Sequence, residues 1–237
     1  MTGPDMKHIR AVLFDKDGTL FDFQATWGVW AGRMIAELAG PDPALRAALA
    51  EVMGYDAATR RFLPHSLVIA GTSEEVAELI APLLPARAGG AGALMAQMAA
   101  AAAEVAVVET VPLRPLLMQL RGAGYRLGVA TNDNEAVARS HVAAQIDLFD
   151  FIVGFDSGHG GKPEPGMLLA FARHCGLAPD QVLMVGDSSH DLIAGRGAGM
   201  ATLAVLTGVA AEADLAPLAD AVRPDIGHLP QLLGLTG

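Results

Sequence analysis

Ala11-Val12-Leu13-Phe14-Asp15-Lys16-Asp17-Gly18-Thr19-Leu20 is an apolar run that ends abruptly in two carboxylates one residue apart, followed by a glycine and a hydroxyl. Val12, Leu13 and Phe14 carry no alternating polar residues, which predicts a central parallel strand covered on both faces. In open α/β sheets ligands sit beyond the carboxyl ends of strands, so Asp15 and Asp17 are expected at such a rim. Gly18 is free to take a turn that brings backbone close to a ligand. An EF-hand calcium loop does not fit. It needs a third oxygen ligand and then a glycine where this chain has Thr19 and Leu20.

The 237 residues are 52% hydrophobic and only 18% charged, the balance of a globular chain with a sizeable core. A net charge of −10 argues against nucleic acid or an anionic membrane as partner. It leaves room for a phosphorylated metabolite, which needs only local positive charge or a metal. Residues 1–10 show no signal-peptide apolar region, and no apolar run is long enough to span a bilayer. Cys175 is the only cysteine, so there is no disulfide framework and no cysteine zinc site, and a small buried hydrophobe is expected there. A cytoplasmic enzyme fits these features.

Downstream of the opening strand the pattern is helical with little strand signal. Trp27, Trp30, Met34, Ile35 and Leu38 share one face until Gly40-Pro41. Asp42-Pro43 reads as N-cap and first helical residue, and Thr72-Ser73-Glu74-Glu75 as a capping box. The alanine-rich stretch from Ala86 to Val108 predicts a glycine turn and then a helix. From Thr110 onward helical and strand-like stretches alternate as in βα units. Strands are expected at Arg126–Ala130, Phe151–Gly154, Gln181–Val185 and, as the last, Thr202–Leu206. A parallel sheet thus begins at residue 9, is interrupted by a helical insertion, and resumes near residue 110.

Four loops after predicted strands carry polar chemistry. The first holds Asp15 and Asp17, the second Thr131 and Asn132. The third holds Lys162 in Gly160-Gly161-Lys162-Pro163-Glu164-Pro165, and the fourth Gly186-Asp187-Ser188-Ser189-His190-Asp191. Parallel topology places all four at one rim. Several carboxylates crowd together ionised only around a cation, and oxygen ligands select a hard one such as Mg²⁺. A lysine and a hydroxyl nearby would grip a phosphoryl group, which completes the toolkit of phosphoryl transfer through an aspartyl-phosphate. Lys162 is not a P-loop lysine, because Pro163 stands where Ser or Thr is required. His190 is expected to be a partly exposed helix residue rather than a ligand.

In this order, Asp15-x-Asp17-Gly18-Thr19, Thr131-Asn132, Lys162-Pro163 and Gly186-Asp187 with Asp191 resemble the four motifs of the haloacid dehalogenase superfamily, over roughly residues 9 to 210. The resemblance implies a doubly wound parallel α/β core of Rossmann-like type at residues 1–21 and 110–237, with a helical cap domain of C1 type at 22–109, as in phosphoglycolate-phosphatase-like members. It implies Asp15 as nucleophile and Asp17 as general acid and base, with the backbone carbonyl of Asp17 reaching the metal. Thr131, Asn132 and Lys162 would bind phosphate, and Asp15 and Asp187 would complete the Mg²⁺ site, with Asp191 ligating the ion or orienting its waters. The activity implied is hydrolysis of a small phosphorylated metabolite, phosphoglycolate being the leading candidate. A phosphomutase and a catalytically silent binding protein share these residues. Phosphonate hydrolysis would need a cap lysine, and none lies between Asp17 and Lys162.

Lys16 departs from the family pattern, where an apolar residue is commoner, and its side chain is expected to point away from Asp15 and Asp17. In the cap, Arg60, Arg61, His65 and Arg33 are candidates for substrate specificity, an arginine pair suiting an anionic substrate. Trp27 and Trp30 are expected to pack the cap rather than stack on a ligand.

Overall fold

The computed structural model describes residues 6–85 and 90–235. After β1 (Ala11–Phe14) come α1 (Phe23–Ala39), α2 (Pro43–Val52), a hairpin of β2 (Tyr55–Asp56) and β3 (Arg61–Phe62), α3 (Ser73–Ile80) and α4 (Gly90–Ala103). The chain then forms α5 (Leu113–Gly122), β4 (Arg126–Ala130), α6 (Glu135–His141), β5 (Phe151–Val153) and α7 (Gly166–Cys175). It ends in β6 (Val182–Gly186), α8 (Ser189–Ala198), β7 (Ala201–Val205), α9 (Glu212–Leu215), β8 (Ala221–Arg223) and α10 (Leu229–Leu232).

Six strands form one parallel sheet in the order β5-β4-β1-β6-β7-β8. β1 is central, and its register explains the rim. Phe14 lies beside Val129 on one side and Val185 on the other. The residues that leave the sheet next are therefore Asp15, Ala130-Thr131 and Gly186-Asp187, at one level. Val12 and Phe14 enter one apolar cluster with Leu127, Val129 and Val185, while Ala11 and Leu13 enter another with Met167, Phe171 and Met184. Both faces of β1 are covered, which is why its sequence shows no alternation.

The segment between β1 and α5 has its own apolar cluster, with Trp27, Met34, Leu49, Phe62, Ile80 and Met98 buried together. Its two ends run side by side: Asp22 N donates to Val108 O and Thr110 N to Leu20 O. The Thr72–Glu75 capping box and the Asp42 cap with Pro43 are formed as their spacing predicts. Residues 86–89 of the predicted glycine turn lie outside the described residues.

Two features were not legible as strands. β8 adds a sixth strand beyond Thr202–Leu206, yet it is three residues long, too short for a periodic signal. The β2–β3 hairpin has two residues per strand and turns through Arg60 at a φ of 56°. α5 also starts three residues ahead of Leu116, since Pro115 falls in its first turn, where no N–H is needed. No helix among the described residues is long and apolar enough to cross a membrane.

Candidate active site

The four loops meet at the carboxyl ends of β1, β4 and β6. Lys162 Nζ lies 2.5 Å from Asp15 Oδ1 and 2.6 Å from Asp191 Oδ1, with all three side chains buried. Ser188 N-caps α8, and its N–H and hydroxyl donate to Asp191 Oδ2 at 3.0 and 2.7 Å, so Asp191 is fixed at both oxygens. Burial pulls the Lys162 ammonium toward neutrality, but Asp15 and Asp191 more than offset this and raise it above the usual lysine range. Burial first, opposed by Lys162 and reinforced by the charges of Asp191 and Asp17, brings the Asp15 carboxyl to about 7.

Asp187 sits across from Asp15 and accepts from Thr19 Oγ1 at 3.2 Å. Backbone closes around it from two sides. A Cβ on Gly18, whose φ is +84°, or on Gly208 would fall on the Asp187 carboxylate. Burial, then the charges of Asp15 and Asp191, raise the Asp187 carboxyl well above its ordinary value. Carboxylate oxygens of Asp15, Asp187 and Asp191 lie within 4.8 Å of one another, all buried. Three buried oxygen donors with too little cationic charge between them fit a hard divalent ion. The carboxylate of Asp17 is not among them.

Thr131 is buried at the end of β4, and its Oγ1 accepts from Asp133 N at 3.1 Å. The Asn132 side chain grips the third loop. Its Oδ1 accepts from Lys162 N at 2.7 Å, and its Nδ2 donates to Lys162 O at 2.8 Å and to Ala70 O at 2.9 Å. Asn132 thereby positions Lys162, a role that residue spacing did not reveal.

Lys16 overturns the expectation made for it. Its ammonium lies 2.7 Å from Asp17 Oδ2 and 3.1 Å from Asp133 Oδ2, fully buried. Side chains alternate only within a strand, and β1 ends at Phe14; the carbonyl of Lys16 then accepts from Leu20 N and Phe21 N in a tight turn. The turn swings Lys16 back beside Asp17. Burial works against its charge, but Asp17 and then Asp133 hold the proton above the ordinary lysine range. His141 Nδ1 lies 3.0 Å from the ammonium, which can only donate, so Nδ1 accepts and Nε2–H donates to Ala102 O at 2.8 Å. Burial first and Lys16 second lower the His141 pKa, in keeping with a neutral ring. Trp27 completes the group: Nε1 donates to Asp17 Oδ1 at 2.7 Å, and Lys16 Nζ stands 5.1 Å from the ring centre. Trp27 therefore does more than pack.

A cavity of about 90 Å³ lies over these groups, walled opposite by Phe23, Trp27, Trp30, Ile69, Val76 and Met98. Arg33, Arg60, Arg61 and His65, the candidates for substrate specificity, do not line it. All four are exposed; Arg60 is held at the hairpin turn, where its carbonyl packs against Gly28. His190 does line the cavity, half-buried, and its Nδ1–H donates to Ala70 O at 3.1 Å. It is not in the carboxylate cluster, as its helix position suggested. Cys175 is half-buried against the second core cluster.

The model of the haloacid dehalogenase-like hydrolases matches residues 9–199. A phosphoglycolate phosphatase of Neisseria meningitidis is 29% identical over 241 residues, covering 96% of this chain and 93% of the relative. One of Pseudomonas savastanoi pv. phaseolicola is 30% identical over 206 residues, 84% of this chain and 70% of the relative. Among solved structures, a predicted phosphoglycolate phosphatase from Haemophilus somnus superposes with a TM-score of 0.73 at 21% identity over 96% of this chain and 99% of the other. A HAD phosphatase from Thermococcus onnurineus gives 0.64 at 22%, over 95% and 98%.

Two outcomes follow from the electrostatics. Lys16→Met strands Asp17 and Asp133 without their cation, and urea unfolding should show a loss of about 3 kcal/mol; a loss below about 1 kcal/mol would contradict the pairing. A divalent ion competes with protons at Asp15, whose carboxyl is raised to about 7, and at Asp187, whose carboxyl burial also raises. Its apparent affinity, measured by calorimetry, should therefore rise with pH between about 6 and 8, and a flat profile would count against this donor set.

Proposed function

This chain belongs to the haloacid dehalogenase-like hydrolase family, and we propose that it hydrolyses the phosphomonoester of a small metabolite through a phosphorylated Asp15, with Mg²⁺ as its metal. It is a phosphatase, as its relatives' names describe them. The observation that carries the reading is Lys162 between Asp15 and Asp191, beside Thr131 and Asp187 at the carboxyl ends of the central strands. A carboxylate nucleophile must meet a phosphate dianion, and a buried ammonium touching the nucleophile reduces their repulsion.

Asp187, Asp15 and Asp191 are the carboxylates that would hold the metal, with the backbone carbonyl of Asp17 as a further oxygen. Bound there, Mg²⁺ would neutralise charge on the phosphoryl oxygens. An Asp15 oxygen attacks phosphorus, the bond to the ester oxygen breaks, and Asp17 delivers a proton to the departing alkoxide. Water then attacks the phosphorylated Asp15 and gives its proton to Asp17, freeing phosphate and restoring the carboxylate. Thr131, the N–H of Asn132 and Lys162 hold the transferring oxygens. Lys16 and Trp27 bind both oxygens of Asp17 and fix its orientation.

In this reading residues 22–109 act as a cap over a core of residues 1–21 and 110–237. Its own apolar cluster and the paired chain crossing at Phe21 and Glu109 support that division. A cytoplasmic setting agrees with the single free cysteine.

Phosphate release from a panel of phosphorylated metabolites, phosphoglycolate included, tests the assignment. Mg²⁺ should support turnover and EDTA abolish it, and Asp15→Asn should lower kcat by about three orders of magnitude or more. Full activity in freshly prepared Asp15→Asn would remove Asp15 as nucleophile.

A further inference from the structure

Resting on the phosphatase reading of the site, we propose that the alcohol released from the substrate is an uncharged, largely apolar one, and not a hydroxy acid.

The inserted segment is docked on the sheet in this structure, so the wall it presents is the wall a bound substrate meets. Ala70 O accepts from both Asn132 Nδ2 and His190 Nδ1, Ala102 O accepts from His141 Nε2, and Ser73 Oγ donates to Asp133 Oδ1 at 3.2 Å. These contacts come from the second and fourth loops and from α6, so the segment is held at several points around the cavity.

The charges facing the cavity are one-sided. Asp15, Asp17, Asp133, Asp187 and Asp191 line it, against Lys162 as its only lysine or arginine among the described residues. The Lys162 ammonium is already committed to Asp15 and Asp191. A metal and Lys162 can answer a phosphoryl group, but a second anion further out would find no lysine or arginine, and His190, the other basic side chain on the lining, is held by its Nδ1–H on Ala70 O. The wall there is Phe23, Trp30, Ile69, Val76 and Met98, with Ala99 and Ala102. Its polar side-chain atoms are neutral: Trp27 Nε1 is taken by Asp17 and Ser73 by Asp133. Trp30 Nε1 is buried with no acceptor among the described residues. A carboxylate at this wall would lose its hydration with nothing to replace it, whereas methyl groups or a ring edge would be removed from water at a gain. The edge-to-face Trp27–Trp30 pair, with ring centres 5.1 Å apart, offers such a surface.

Two phosphonates of nearly equal shape separate charge from size. Isobutylphosphonate carries two methyl groups where phosphonoacetate carries two carboxylate oxygens. Their binding to the full-length chain is measured by calorimetry at fixed free Mg²⁺, with inorganic phosphate as reference. Isobutylphosphonate should bind about tenfold tighter or more. In Ile69→Lys, which adds a cation to the wall, the preference should move toward phosphonoacetate. Equal or tighter binding of phosphonoacetate by the unaltered chain would overturn the inference and leave the phosphatase reading standing. Failure of inorganic phosphate and both phosphonates to bind would defeat that reading and the inference together.

Discussion

A buried lysine between two carboxylates is the constraint from which the rest of the site follows. Lys162 would not keep its charge in this environment alone, and Asp15 and Asp191 would not crowd together without it. Each part of the surrounding structure holds one corner of that arrangement. β1 delivers Asp15, α8 with its Ser188 cap delivers Asp191, and the Asn132 amide clamps the backbone of Lys162 itself. The third carboxylate, Asp187, is brought in where glycines at 18 and 208 let backbone approach it. What results is a rim with excess negative charge and a defined place for a divalent cation.

A second buried lysine has a different task. Lys16 joins Asp17 to Asp133 and to His141, and these connect to the inserted segment through Ser73, Ala102 and Trp27. The group proposed as acid and base is therefore held by contacts from both halves of the molecule. Displacing the inserted segment would remove the Trp27 hydrogen bond from Asp17. Access to the cavity and the orientation of Asp17 are coupled through side chains rather than through the sheet.

Much of this was readable in the chain because its signals are local. An apolar run ending in Asp15-Lys16-Asp17 marks a buried parallel strand, and the register of β1 with β4 and β6 then aligns the loops without further information. Capping boxes and Pro43 marked helix starts for the same reason: the donors and acceptors involved are three residues apart. What the sequence did not show depends on distance in space. Lys16 was misplaced because strand alternation was carried one turn past the end of β1. Arg60 and Arg61 looked suited to an anionic substrate, yet a two-residue hairpin turns them to solvent. The role of Asn132 as a clamp on Lys162 joins residues 30 apart and leaves no local trace. β8 has no pattern of its own, and it is held by pairing with β7 and by Asp220 accepting from Thr202.

The central claim is that phosphate passes through Asp15. The most direct measurement is to quench the enzyme during turnover of a phosphate ester, reduce the trapped acyl-phosphate with borohydride, and locate the modified residue by peptide mass spectrometry. The account predicts reduction of Asp15 alone, dependent on both substrate and Mg²⁺. Modification at another carboxylate, or none under conditions of rapid turnover, would contradict it.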